Sequence, residues 1–238
     1  VAESWIPYAI GGALLAIPLV AMAKPSGSGE VEDGVPVPVG KRRKRFRCAF
    51  GATHLSDDWM RFFEQTARRE SNFRPNALNS TPSEVSASDR MNDNSGVIDG
   101  INFSSYKWEF GSRGLFQFLG VVIALRGGKL RFSKSITNPK MGYNPGISMA
   151  AAVDYARGLM TWNNFEGSWA SLNAGWGWPA KMGNADRITN SARKMENRAA
   201  ELGWARGWAR QPVPTIPSQT RSELDALANV ARLHYNAC

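Results

Sequence analysis

Between Ser56 and Phe73 large apolar side chains return at helical spacing, as Trp59, Phe62, Phe63 and, in the same series, Thr66. Ser56 stands where an N-cap is needed. Asp57 and Asp58 suit the positive first turn, and Arg68 and Arg69 the negative last one. A period near 3.6 means an amphipathic helix, not a strand. The same period runs from Ile147 to Trp162, with Met149, Val153, Ala156 and Met160 on one stripe. Shorter helical stretches are predicted at 115–125, stopped by Gly127–Gly128, and at 165–174, ending at Gly175. Two more are predicted at 186–210 and 219–235, separated by the proline-rich QPVPTIP. Within 186–210 the tandem GWARGWAR sets Trp204 and Trp208 four apart, on one helical face, as packing for a C-terminal helix. Residues 74–107 are rich in Asn, Ser, Asp and Pro without a clear period, and read as a long surface excursion. Convincing alternating strands are scarce, so the fold class is mainly α.

The first 47 residues follow different rules. No charge falls between Glu3 and Lys24, and Ser4–Ala23 is apolar for 20 residues. As a helix this segment would reach about 30 Å, the thickness of a bilayer core. Pro7, Pro18 and Gly11–Gly12 suit a membrane helix better than a soluble one. The reading is a transmembrane helix or one buried against a partner protein. It does not resemble a cleaved leader, because VAES has no basic residue. Positive charge follows the segment, which by the positive-inside rule leaves the body on the cytoplasmic side. Residues 24–40, KPSGSGEVEDGVPVPVG, have linker composition. Lys41–Arg47, KRRKRFR, is then read as a solvated basic flank, with phosphate of nucleic acid or lipid as the alternative partner.

Composition narrows the chemistry. The chain has 238 residues, 43% of them hydrophobic, enough for one ordinary core with appendages. Its net charge of +9 favours an anionic partner: nucleic acid, a membrane surface or an acidic wall polymer. Two cysteines, Cys48 and Cys238, make no disulfide framework, and their state is left open. With only His54 and His234 beside them, a zinc site of the usual kind is disfavoured. A serine hydrolase is disfavoured because no GxSxG elbow occurs. No metal and no cofactor is expected.

Four short motifs, in order, carry the chemistry. Glu70 and Ser71 lie in ARRESNFRPNA, with Phe73, Pro75 and Ala77 after them. Gly114, Leu115 and Gln117 lie in GSRGLFQF. Asn144, Ile147 and Tyr155 open and occupy the long helix of ITNPKMGYNPGISMAAAVDYARGLM. Asn173, Ala174 and Gly175 close the series in SWASLNAGWG. Each motif is weak alone. Together they resemble the lysozyme-like lytic transglycosylases with a soluble-type catalytic domain, over roughly residues 52–185.

That resemblance implies a lysozyme-like helical domain and says nothing of residues 1–47 or of the C-terminal tail. With the composition and periodicity above, the expected division is an apolar helix at 1–23, linker and basic run at 24–47, lysozyme-like catalytic domain at 48–186 and a C-terminal helical extension at 187–238. The resemblance implies that Glu70 is the single catalytic acid, then base toward the C6 hydroxyl of the sugar, leaving a 1,6-anhydro-muramyl end. Phe63, Thr66 and Phe73 would form an apolar wall that keeps its carboxyl protonated. Arg68 and Arg69 are expected to face elsewhere. Ser71 would orient Glu70. Gln117, Tyr155, Asn173 and Trp176 would bind the glycan. Trp178 offers a further sugar-stacking face, and Trp169 reads as core.

Two departures from the family pattern stand out. Leu172 replaces a family tyrosine, whose role Tyr155 partly covers, and residues 74–107 stretch the spacing. Asp89, Asp93 and Asp99 in that stretch are candidates for a second carboxylate and a hydrolytic outcome. The implied partner is the peptidoglycan glycan strand, cleaved locally. The expected setting is a phage virion, as a tail or internal protein among protein partners, acting in the host periplasm or envelope during genome entry. The alternatives are a bacterial inner-membrane or periplasmic machine, and a catalytically dead structural protein with the same fold.

Overall fold

The computed structural model describes residues 31–32, 35–104, 107–108, 111–159, 185–212 and 214–238. Among them the protein is mainly helical. A two-strand ribbon, β1 (Val31–Glu32) with β2 (Val35–Pro36), leads into helix α1 (Val39–Gly51) and then α2 (Asp57–Glu70). Strand β3 (Leu78–Asn79) precedes α3 (Pro82–Ser95) and the β4 (Val97–Ile98) to β5 (Ile101–Asn102) hairpin. Next come β6 (Ser112–Arg113), β7 (Phe118–Leu119) and a one-turn α4 (Gly120–Ala124). The hairpin of β8 (Leu125–Arg126) and β9 (Lys129–Leu130) follows, then α5 (Pro145–Leu159), α6 (Ala185–Glu201) and α7 (Arg221–Ala237). Antiparallel β3, β6 and β7 form the only three-stranded sheet among the described residues, in the order β3-β6-β7. No described helix is long and apolar enough to cross a membrane. Ser4–Ala23 lies outside the described residues.

Two apolar clusters fill the interior. Phe46, Trp59, Phe62, Phe63, Phe73, Phe116, Met149 and Tyr235 belong to the first, beneath α1, α2 and α5. Phe103, Phe132, Met141, Ile147 and Leu224 belong to the second, and Phe118 and Leu227 touch both. Helix α5 packs along α7, and Gly146 shows how closely: a Cβ there would run into the Ala228 carbonyl. Helix α7 opens on a capping box. Thr220 accepts from the Glu223 amide while the Glu223 carboxylate accepts from the Thr220 amide.

The structure corrects several expectations. The basic run is not wholly a solvated flank, because Lys41–Arg47 lies inside α1, with Lys41, Lys44 and Arg47 exposed and other positions turned inward. Arg42, Phe46, Ala49 and Phe50 form the buried stripe of that helix, at helical spacing. Six basic residues in seven hid that stripe from a compositional reading. Residues 187–238 are not an appendage either. Met195, Ala199, Trp208 and Tyr235 sit in the first cluster, and Cys238 is disulfide-bonded to Cys48, closing α7 onto α1. The excursion contains α3, which starts with Pro82 at its first position. The predicted helix at 115–125 is a turn, a strand and then the single turn α4, and Gly127–Gly128 is the bend of a hairpin. Trp204 and Trp208 share no helical face, since α6 ends before them and Gly203 and Gly207 take positive φ. Trp208 is core, as expected, while Trp204 reaches a buried carboxylate.

Candidate active site

Glu70 is the last residue of α2, and the chain reverses directly after it. Asn72 and Phe73 take positive φ, a costly conformation for non-glycine residues, so surrounding contacts must hold them. Phe73 is fully buried, with its ring centroid 5.4 Å from that of Phe46. Arg68 donates to Asn72 Oδ1 across the turn. The Ser71 hydroxyl lies 2.8 Å from the Leu115 carbonyl and 3.2 Å from that of Ala67. Ser71 therefore ties the end of α2 to the Gly114–Gln117 turn.

That turn is built around its glycine. Gly114 has φ +79°, and a Cβ on it would collide with the Gly142 carbonyl. Its amide donates to the Ala77 carbonyl at 2.9 Å. Gln117 also takes positive φ, and its Nε2 donates to the carbonyls of Gly114 (2.9 Å) and Ala77 (3.2 Å). Its Oε1 is shielded from solvent and accepts no hydrogen bond from the described residues. Fully buried Arg113 anchors the strand below, donating to the Pro139 carbonyl at 2.6 Å. The structure thus brings Glu70, Ser71 and Gln117 around one turn. Tyr155 joins less directly, with its ring 5.0 Å from that of Phe118, the neighbour of Gln117. Burial pushes its phenol well above the usual range, so it is a neutral hydroxyl at any ordinary pH. Asn144 accepts from the Gly146 and Ile147 amides and so caps α5. Asn173 and Trp176, like Trp169, Leu172 and Trp178, lie outside the described residues.

Burial raises the Glu70 carboxyl above the ordinary carboxylate range, and the charge of Glu84 pushes the same way. Arg69 and then Arg198 oppose the rise without cancelling it. Arg69 does not face elsewhere: its Nε is 3.4 Å from Glu70 Oε1. The Glu70 side chain keeps 23% of its surface exposed, so a ligand can reach it.

Two contributors were missed by sequence reasoning. Arg198 comes from α6, more than 120 residues away, and no local signal announces it. Glu84 is the third residue of α3, in the pattern Thr81-Pro82-Ser83-Glu84 that reads as a capping box, and that pattern was the available signal. Of the aspartates proposed in its place, Asp99 is 3.5 Å from Arg221 of α7, Asp93 is exposed on α3, and Asp89 lies one turn before it on the same helix with its Oδ1 shielded from solvent. Among the described residues no three His, Cys, Asp or Glu side chains gather as a metal site. Two surface hollows, of about 430 and 400 Å³, lie along Gly40–Cys48 and beside Asp58, Arg61 and Trp208, and neither is lined by Glu70, Ser71 or Gln117. Comparison with family models, curated proteins and solved structures finds no match.

Proposed function

We propose that this chain is a lysozyme-like enzyme that cleaves the MurNAc–GlcNAc β-1,4 bonds of peptidoglycan, with Glu70 as the proton donor. One observation carries the reading. The carboxyl of Glu70, the last residue of α2, is raised by burial and remains reachable from solvent, and the next residue, Ser71, hydrogen-bonds the Gly114–Gln117 turn. A carboxyl kept neutral near pH 7 can protonate a glycosidic oxygen as the C1–O bond breaks. In the transglycosylase route the Glu70 carboxylate then takes the proton of the muramyl C6 hydroxyl while that oxygen bonds C1, closing a 1,6-anhydro ring without water.

The remaining roles follow the same resemblance. The unfilled acceptor of Gln117 suits an amide N–H such as that of an N-acetyl group, since a buried polar atom without a partner is costly. Tyr155, Asn173 and Trp176 would complete glycan binding. The Cys48–Cys238 bond favours work in an oxidising compartment, such as a periplasm or cell exterior. A virion-borne enzyme that opens the host wall locally during genome entry fits that compartment, and so does a bacterial envelope machine.

The test is the full chain on insoluble peptidoglycan, with soluble products identified by mass spectrometry. Saccharide fragments from the wild type and none from Glu70→Gln support the reading. Fragments from neither protein favour a structural protein with an inactive lysozyme-like fold.

A further inference from the structure

The basic run of α1 and the GWARGWAR segment meet in space. The first hollow is lined by Arg43, Lys44 and Arg47 of α1, with Gly40 and Cys48 on the same helix face. The second is lined by Arg61 of α2 and by Arg206 and Gln211 beyond α6. Trp204 links them. Arg47 of one hollow and Arg61 of the other both lie over its ring, at 5.4 and 5.1 Å from the centroid. Gly203, at φ +88°, and Gly207, at φ +87°, turn the chain on either side of that tryptophan. Beneath the ring, Glu64 is fully buried and takes both the Trp204 N–H, at 2.5 Å, and Arg43, at 2.8 and 3.2 Å. One carboxylate thus fixes the indole and the nearest guanidinium together, so the platform is organised before anything binds.

The charges do not cancel. Glu64 offsets Arg43, and Asp58, 3.0 Å from Arg61, offsets that cation. Lys44, Arg47 and Arg206 remain in excess, all three exposed. A polyanion is the ligand such a surface takes. Its shape and its rings narrow the choice. Arg43 and Arg61 are recessed, with 28% and 25% of their side-chain surface exposed, and no exposed large apolar side chain lines either hollow, so a flat bilayer fits poorly. A phosphate polymer without rings gains nothing from guanidiniums stacked on an indole. An unpaired base does, because its face lies on such planes while phosphates meet the cations around them. A duplex hides those faces. We propose that the two hollows form one track for single-stranded nucleic acid, with Lys44, Arg47 and Arg206 on its phosphates and the Arg47–Trp204–Arg61 group under its bases.

The experiment titrates the full chain with a labelled oligothymidylate of about twenty nucleotides, followed by fluorescence anisotropy at several salt concentrations. The slope of log K against log salt should be near −2, the value of about −0.7 per neutralised phosphate for three cations on a single strand. Lys44→Gln and Arg206→Gln, both exposed and outside the core, should each make it shallower by about 0.7. Arg47→Lys keeps the charge and loses the plane, so it should hold the slope while weakening binding about fivefold or more. Linear polyphosphate and the matched duplex should compete poorly. A slope untouched by both glutamine variants places binding elsewhere and overturns the track. Equal competition by polyphosphate, or no effect of Arg47→Lys, reduces recognition to charge and overturns the nucleic-acid assignment. Binding to anionic phosphatidylglycerol vesicles without binding to the oligonucleotide, or binding to neither, overturns it as well. The readout is binding alone, so each outcome is separate from glycan cleavage by Glu70.

Discussion

Glu64 and Glu70 ride on the same helix, six residues apart, and so point about 120° apart around its axis. Glu64 is fully buried and fully partnered. Arg43 reaches it through two nitrogens at 2.8 and 3.2 Å, Trp204 Nε1 donates to it at 2.5 Å, and Arg47 approaches to 3.8 Å. Arg47 and Arg61 also lie over the Trp204 ring, at 5.4 and 5.1 Å from its centroid. Glu70, at the helix end, keeps part of its surface open to solvent, and its one ion pair among the described residues is with Arg69, at 3.4 Å. A buried carboxylate with a matched set of donors serves cohesion and is expensive to disturb. A partly buried carboxyl with few donors holds a proton more readily than an ordinary one. The two differ both in exposure and in the partners that each carboxyl has.

Glutamine separates them most sharply. Glu70→Gln should cut glycan cleavage by at least about 10²–10⁴-fold while the thermal midpoint stays level or rises, read by product assay and calorimetry together. Glu64→Ala should do the reverse. It takes the carboxylate from Arg43, which keeps only its bond to the Leu202 carbonyl, and strands the Trp204 N–H, and should cost about 3–5 kcal/mol of stability, seen as a lower urea midpoint. A Glu64→Ala protein as stable as the parent would erase the contrast. Cys238→Ser comes next, at about 2–5 kcal/mol. It frees α1, which supplies Arg43 and Arg47, so its effect should be less than additive with that of Glu64→Ala in a double-mutant cycle.

The smallest effect is on pH dependence. The folded protein holds the Glu70 proton more tightly than the unfolded chain. Stability therefore falls as pH rises from the unfolded carboxylate value, about 4.3, through the higher folded one. The Glu70→Gln variant has no such proton, so it should gain on wild type across that window and hold its advantage above it. The facing charges of Arg69, Arg198 and Glu84 are unchanged by the substitution. Urea midpoints at pH 4 to 8 measure the difference, and parallel curves would mean that folding leaves the proton affinity of Glu70 unchanged.

The helices with ordinary amphipathic patterns were legible. Asp57–Glu70, Pro145–Leu159 and Arg221–Ala237 fall within a few residues of the ranges that periodicity gives. Helix α1 was not, because its buried face includes Arg42 and because Arg43 pairs with a carboxylate that is distant in sequence. No window centred on Lys41–Arg47 contains that carboxylate. Helix α3 was lost among Ser, Asn and Asp, residues that more often mark loops. At the site, Glu70, Ser71 and Gln117 were legible because each belongs to a short local pattern. Arg198 and Glu84 arrive through tertiary packing, one from α6 and one by leaving a cap. The proximity of Cys48 to Cys238 likewise depends on α7 lying along α1, which no spacing encodes.

That last bond changes the topology of the molecule. Joining residue 48 to residue 238 turns about four-fifths of the chain into a covalent ring. A ring cannot be drawn through a narrow conduit as a single file of residues, even fully unfolded; two strands must pass abreast. Any passage of this chain as one extended thread therefore requires both thiols to be reduced in transit. Closure afterwards makes the passage one-way, since the oxidised molecule no longer fits the route by which it came.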